Sequence, residues 1–256
     1  MRHDHNLSPP ASLPDSIEEI RKRTPARIFV DRGTAYSTQM ELELRRAHAS
    51  AVDAVWREFE LEKDLPQELV AQWKLFQVSS RAGSKSQFLL CPHLGRRLPD
   101  DAKSLITQKC PVASDFQIVI GDGLSGAAVS EQIPALFPLL QERACSRGWS
   151  VGHSFAVRYC RVGIMNEIGD LLAPRVLVLL IGERPGLATA ESLSAYMAYQ
   201  PRSGHTDANR NLVSNIHARG VRVVDALDRI TNLAARMIAT KCSGASLKEG
   251  TEILPV

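Results

Sequence analysis

No stretch of this sequence is long and apolar enough to cross a bilayer. The longest apolar run, Val176 to Ile181, falls far short of the roughly 20 residues that a spanning helix needs. The N-terminus is polar and lacks the apolar core of a secretion signal, so a cytosolic protein with no membrane partner is expected. Cysteine is sparse and odd in number. Cys91, Cys110, Cys145, Cys160 and Cys242 contain no CxxC pair, which excludes a disulfide framework and favours free, mostly buried thiols in a reducing compartment. The histidines are scattered, with no HxxxH or HExxH, and no Cys/His cluster has zinc spacing, so no metal site is expected. Charge of one sign is also lacking. Lys plus Arg total 31 and Asp plus Glu total 28, a net +3 that argues against a nucleic-acid partner with its concentrated basic face.

What is present is a chain of 256 residues, 44% hydrophobic, enough to bury a globular core. Residues 1–15 carry Pro9, Pro10 and Pro14 and read as a disordered tail. Residues 16–80 read as a smaller, mainly helical region. Ser16 with Glu19, and Thr38 with Glu41, have capping-box spacing. Behind Thr38, the residues Leu44, His48, Ala51, Val52, Val55 and Phe59 recur at helical spacing and predict one buried face. Pro66 suits the start of a further helix, and 79–86 reads as a loop.

Residues 81–256 change character. Phe116 to Ile120 is a β-rich run that stops at Gly121-Asp122-Gly123. Val176 to Ile181 is apolar on both faces, as a central parallel strand is, and stops at Gly182-Glu183-Arg184-Pro185-Gly186. A helical stretch punctuated by Pro134 and Pro138 separates them, and Val223, Leu227, Ile230, Ala234 and Met237 mark one face of a last helix. The pattern predicts an α/β fold with a mostly parallel, Rossmann-like sheet and flanking helices. Ligands of such sheets gather at the carboxyl ends of the strands, which directs attention to 121–126 and 182–186.

Gly121-Asp122-Gly123-Leu124-Ser125-Gly126 fits G-x-G-x-x-G, so one reading is an NAD(P)-binding oxidoreductase; the plainer one is a tight turn that needs glycine. No acidic residue follows the next candidate strand, Phe155 to Tyr159, to hold a ribose. G-x-S-x-G fails at Ala127, which leaves Ser125 without a nucleophile elbow. Glu183-Arg184 reads either as a surface ion pair or as a polar anchor facing a ligand over the strand ends.

Several stretches, taken together and in order, resemble the small subunit of ethanolamine ammonia-lyase. They are Leu94 to Leu98, Asp115 to Ser125, Arg158 to Val162, Leu179 to Leu187, Glu191 to Tyr196 and Ser214 to His217. The resemblance implies a subunit of a hetero-oligomeric carbon–nitrogen lyase, in which a barrel-shaped large subunit binds ethanolamine. Adenosylcobalamin, with its own base on cobalt, lies between the subunits; the absence of a D-x-H-x-x-G motif agrees with that. Homolysis gives an adenosyl radical, and the products are acetaldehyde and ammonia. Carried over to this sequence, cofactor contacts fall at Val162, Glu183 and Leu212, with Arg161 added, and no catalytic residue falls on this chain. Glu183 suits the buried N–H groups of corrin amides, Arg161 a phosphate or an amide carbonyl, and Val162 and Leu212 backbone bonds or ring packing. The family also works inside bacterial microcompartments.

The chain departs from the pattern at Leu212 (usually Cys), Asn209 (usually Asp), 31–34, and Cys91 and His93 (usually Arg and Asp). The departures at Asn209 and Leu212 motivate a further alternative, a non-catalytic assembly module.

Overall fold

The computed structural model describes residues 37–187 and 189–247. The expected tail, the short helix from Ser16 and the departure at 31–34 lie outside the described residues. The described chain is mixed α/β. Its strands are β1 (Phe76–Ser79), β2 (Phe116–Gly121), β3 (Phe155–Arg158), β4 (Val176–Gly182), β5 (Leu193–Tyr199) and β6 (Asn211–Ile216). They form a six-stranded sheet in the order β1-β3-β2-β4-β5-β6. The pairs from β1 through β4 are parallel; β5 is antiparallel to β4, and β6 to β5. The helices are α1 (Thr38–Trp56), α2 (Leu61–Asp64), α3 (Gln67–Gln72), α4 (Lys85–Leu90), α5 (Asp100–Lys109), α6 (Gly126–Ser146), α7 (Ile164–Leu172) and α8 (Val223–Thr240). None of the described helices is long and apolar enough to cross a membrane.

Every residue of β2 and β4 is buried. Alternate side chains point to opposite faces of a strand, so such a run needs apolar cover on both. Ile118, Ile120, Val178 and Leu180 enter one core with α6 and α8. Val119, Leu177 and Leu179 enter the other with α5 and α7. The face of α8 expected from its periodicity is the buried one, with Leu227, Ile230, Ala234 and Met237 inside.

Several expectations shift. Helix α1 is capped by Ser37, whose hydroxyl accepts the Met40 N–H at 3.2 Å, so the cap falls one residue before Thr38. Its buried residues are Ala47 and Ala54, while His48 and Val52 are exposed. The expected stripe was rotated, because small alanines, not the larger side chains, face the neighbouring helix. The stretch 79–86 is not all loop: Ser84 caps α4 by accepting the Gln87 N–H at 3.2 Å. Phe76–Ser79, at the end of the stretch read as helical, pairs with β3 as an edge strand. Pro134 and Pro138 do not break the helix; α6 runs through both.

The site follows from how the strands exit. From β2 the chain enters α6, on one face of the sheet; from β3 it enters α7, on the other. Neighbouring strands whose connections leave to opposite faces open a crevice between them. On the α7 side the helical cover stops short of β6, where Leu212 is 43% exposed.

Candidate functional site

The loop after β2 turns on Gly123, whose φ of +56° lies in the left-handed region. A Cβ there would come within 2.2 Å of the Gly182 carbonyl oxygen, and a Cβ on Gly182 within 2.0 Å of the Ser125 carbonyl oxygen. These glycines let the β2 and β4 loops touch through their backbones, and the Leu124 N–H donates to Gly182 O at 3.1 Å. Ser125 caps α6, accepting the Ala128 N–H at 3.2 Å and donating to Ala190 O at 2.6 Å. The G-x-G-x-x-G pattern is thus accounted for by loop packing and a helix cap, the plainer of its two readings.

Asp122 ties this loop to the next one. Fully buried, it accepts the N–H groups of Tyr159 at 2.9 Å and Cys160 at 2.8 Å. Burial pushes its carboxyl above the usual range, against the pull of Lys85 and the backbone N–H groups. Tyr159 has a φ of +55°, a strained conformation for a side-chain-bearing residue. It is held there from several sides: Asp122 takes its N–H, its carbonyl accepts the Ser80 hydroxyl at 2.8 Å, and its own hydroxyl donates to Glu58 at 3.0 Å. The backbone reversal at Tyr159 delivers Arg161 and Val162 to the crevice.

Arg161 lies against Phe88, its guanidinium carbon 4.3 Å from the ring centroid, and donates to Phe88 O at 3.3 Å. Burial, then Arg96 and Arg184, push its pKa down. Glu183 follows β4. Its N–H donates to Ser192 O at 3.0 Å, and its carboxylate accepts the hydroxyls of Ser192 at 3.3 Å and of Ser194. The surface pairing with Arg184 that the sequence allowed is replaced by these two serines. A carboxylate has about four acceptor positions, so Glu183 keeps capacity for further donors. Burial, then Glu183, push the Tyr196 phenol up. Leu212 on β6 stands opposite Tyr196 in register.

Arg161, Val162, Glu183 and Leu212 all line one open cleft of about 460 Å³, floored by Gly123, Gly182 and Tyr196. The four residues come from three separate segments, and the sheet brings them together. The cleft runs from the strand ends down onto the uncovered face of β5 and β6. A second hollow, of about 550 Å³, shares Arg161, Val162 and Tyr196 with it. Among the described residues no group of three or more His, Cys, Asp and Glu is placed to hold a metal ion.

Sequence reasoning missed Asp122, Lys85 and Tyr196. The signal for Asp122 was its position, an acid between two glycines at the end of a wholly buried strand. Asn209, one of the departures, has a local role: its side-chain oxygen accepts the Thr206 N–H at 2.8 Å, as an aspartate oxygen would. Cys91 and His93 lie outside the cleft lining.

The sequence model described as ethanolamine ammonia-lyase light chain matches residues 14–248. The ethanolamine ammonia-lyase small subunit of Clostridium acetobutylicum is 37% identical over 235 residues, covering 91% of this chain and 95% of its own length. That of Fusobacterium nucleatum is 37% identical over 239 residues, covering 93% of this chain and 79% of its own. That of Clostridioides difficile is 36% identical over 231 residues, with coverages of 90% and 77%. These matches leave no part of the sheet or of the cleft loops outside them, and the chain belongs to the ethanolamine ammonia-lyase light-chain family.

Proposed function

We propose that this chain is the small subunit of an ethanolamine ammonia-lyase, and that its cleft forms one side of an adenosylcobalamin site closed by a large subunit. The observation that carries the reading is the convergence of Arg161, Val162, Glu183 and Leu212 on one open cleft. The residues suit a corrinoid. Val162, Leu124 and Leu212 offer apolar surface for the flat ring, and the remaining lone pairs of Glu183 suit amide donors at its edge. Arg161 offers donors to a carbonyl or a phosphate. When bound, the cofactor supplies a cobalt–carbon bond that breaks to a carbon radical; substrate turnover to acetaldehyde and ammonia then takes place on the large-subunit side.

In this reading the chain's own work is binding and orientation. The tie between Asp122 and the 159–160 backbone holds Arg161 and Val162 in place, and the two serines fix the rotamer of Glu183. Ser125, the one hydroxyl in the β2 loop with a nucleophile-like setting, is engaged as a helix cap. A cytosolic or microcompartment location follows from the same reading.

The test is co-purification with the large subunit, followed by assay of bound cobalamin and of acetaldehyde formation. Glu183→Ala is expected to lower cobalamin retention about tenfold, the loss of one charge-assisted bond, and to lower stability by about 1–3 kcal/mol through the serine hydroxyls left without an acceptor, with the fold retained. Absence of a complex and of activity refutes the reading; unchanged retention removes Glu183 from the site.

A further inference from the structure

The hollow beside the cleft is a second, differently built place. Three arginines converge on it, each held by its own device. The stem of Arg161 occupies the space a Gly95 Cβ would need, 2.7 Å from that position, and its N–H donates to Gly95 O at 2.8 Å. The stem of Arg96 lies likewise over Gly163, 3.0 Å from where a Cβ would stand. The two loops interleave, each supplying the glycine on which the other's arginine lies. Arg210 has a side chain only 5% exposed; it donates to Asn166 at 2.9 Å and pairs with Asp207.

Positive charge is in excess here. Asp207 is engaged by Arg210, and Glu167 by Arg97 at 3.0 Å. Among the described residues, Arg96 and Arg161 make no ion pair with a carboxylate. The Nε of Arg161 and of Arg210 and the Nδ1 of His205, all residues of the lining, are buried without a partner. Crowded guanidinium groups repel one another, and buried donors without acceptors are costly. An anion with several oxygens relieves that repulsion.

We infer that the hollow lined by Arg96, Arg161 and Arg210 is a seat for a phosphate group. Guanidinium forks arriving from three loops suit a tetrahedral oxyanion better than a planar carboxylate, which one fork satisfies. The inference deepens the proposed function in one respect only. Because the hollow adjoins the cleft, the phosphate has two possible sources: the phosphodiester of the cobalamin nucleotide tail, or free phosphate.

The test uses the complex of both subunits and the variant Arg96→Gln, chosen because Arg96 is exposed and glutamine keeps the Cβ, Cγ and Cδ that lie over Gly163. Three probes are titrated: cyanocobalamin, dicyanocobinamide (a corrin with no nucleotide tail or phosphate) and inorganic phosphate. A loss of about tenfold or more for cyanocobalamin, with cobinamide unchanged, supports a seat for the tail phosphate. Saturable phosphate binding that the variant abolishes, with cyanocobalamin unchanged, supports a seat for free phosphate. If wild type binds neither corrinoid but binds phosphate in an Arg96-dependent way, the cofactor reading fails and the seat stands. Equal weakening of both corrinoids with no phosphate binding overturns the inference, as does no response to the substitution with any probe.

Discussion

Replacing Gly182 by alanine tests whether the backbone contact between the β2 and β4 loops shapes the site. The added Cβ would lie 2.0 Å from the Ser125 carbonyl oxygen and 2.7 Å from that of Asp122. Ordinary contact begins near 3.4 Å, so one backbone must retreat by more than an ångström. Overpacking of this kind costs about 1–3 kcal/mol. The retreat also disturbs the Ser125 cap of α6, adding about 1 kcal/mol. A destabilisation of about 3 kcal/mol is therefore expected, read from urea denaturation followed by circular dichroism, with the slope of the transition unchanged. Gly148→Ala is the control. Its φ is +73° with nothing within 4 Å of the added Cβ, so it carries only left-handed strain, about 1–2 kcal/mol. If Gly182→Ala is no more destabilising than Gly148→Ala, the close-approach argument is wrong.

Other outcomes follow from the same structure. The carboxyl of Asp122 is raised by burial, so its contribution to stability is present below the unfolded value near pH 4 and is lost as pH rises through the folded value. Urea midpoints of wild type should therefore carry a downward component above about pH 4 that Asp122→Asn lacks; parallel pH profiles would contradict this. On the proposed function, Leu212→Cys, which installs the residue that the resemblance implies, should leave cobalamin affinity unchanged if the proposed contact is made by the backbone; a shift of more than about threefold would assign it to the side chain. Burial pushes Cys110 up to about 12 and Cys160 well above the usual thiol range, whereas Cys145 is exposed. A maleimide should therefore label Cys145 in the native chain and reach Cys110 and Cys160 only on unfolding, as peptide mass mapping can check.

Strands β2 and β4 were legible because burial on both faces leaves a run that is apolar throughout in β4 and broken only by Gln117 in β2. Strands β5 and β6 were not. Leu193 to Tyr199 mixes serine and alanine with its large residues, and β6 buries only Val213 and Ile216, so neither shows clean alternation. The irregular register between them, near Leu193 and Ala195, further blurs the period. The cap of α1 was misplaced by one residue because Ser37 and Thr38 are chemically equivalent candidates, and only backbone geometry chooses between them.

The site was legible by another route. Nothing in spacing or periodicity joins Val162, Glu183 and Leu212; the family resemblance selected them, and the pairing of β3 through β2 to β4, β5 and β6 then brought them to one cleft. Asp122 escaped both routes. Its partners are main-chain N–H groups 37 and 38 residues away, which carry no side-chain signature.

The bare half-face of the sheet has a thermodynamic consequence. Strands β2 and β4 are buried on both faces, but Leu212 on β6 is left exposed to water. Any molecule that seats there and ignores the unfolded chain adds RT ln(1 + [L]/Kd) to the stability of the fold, about 2.7 kcal/mol at a hundredfold excess over Kd. On the proposed function, the melting temperature of this chain is therefore a gauge of how much of it is assembled, and it should rise with the concentration of whatever covers this face.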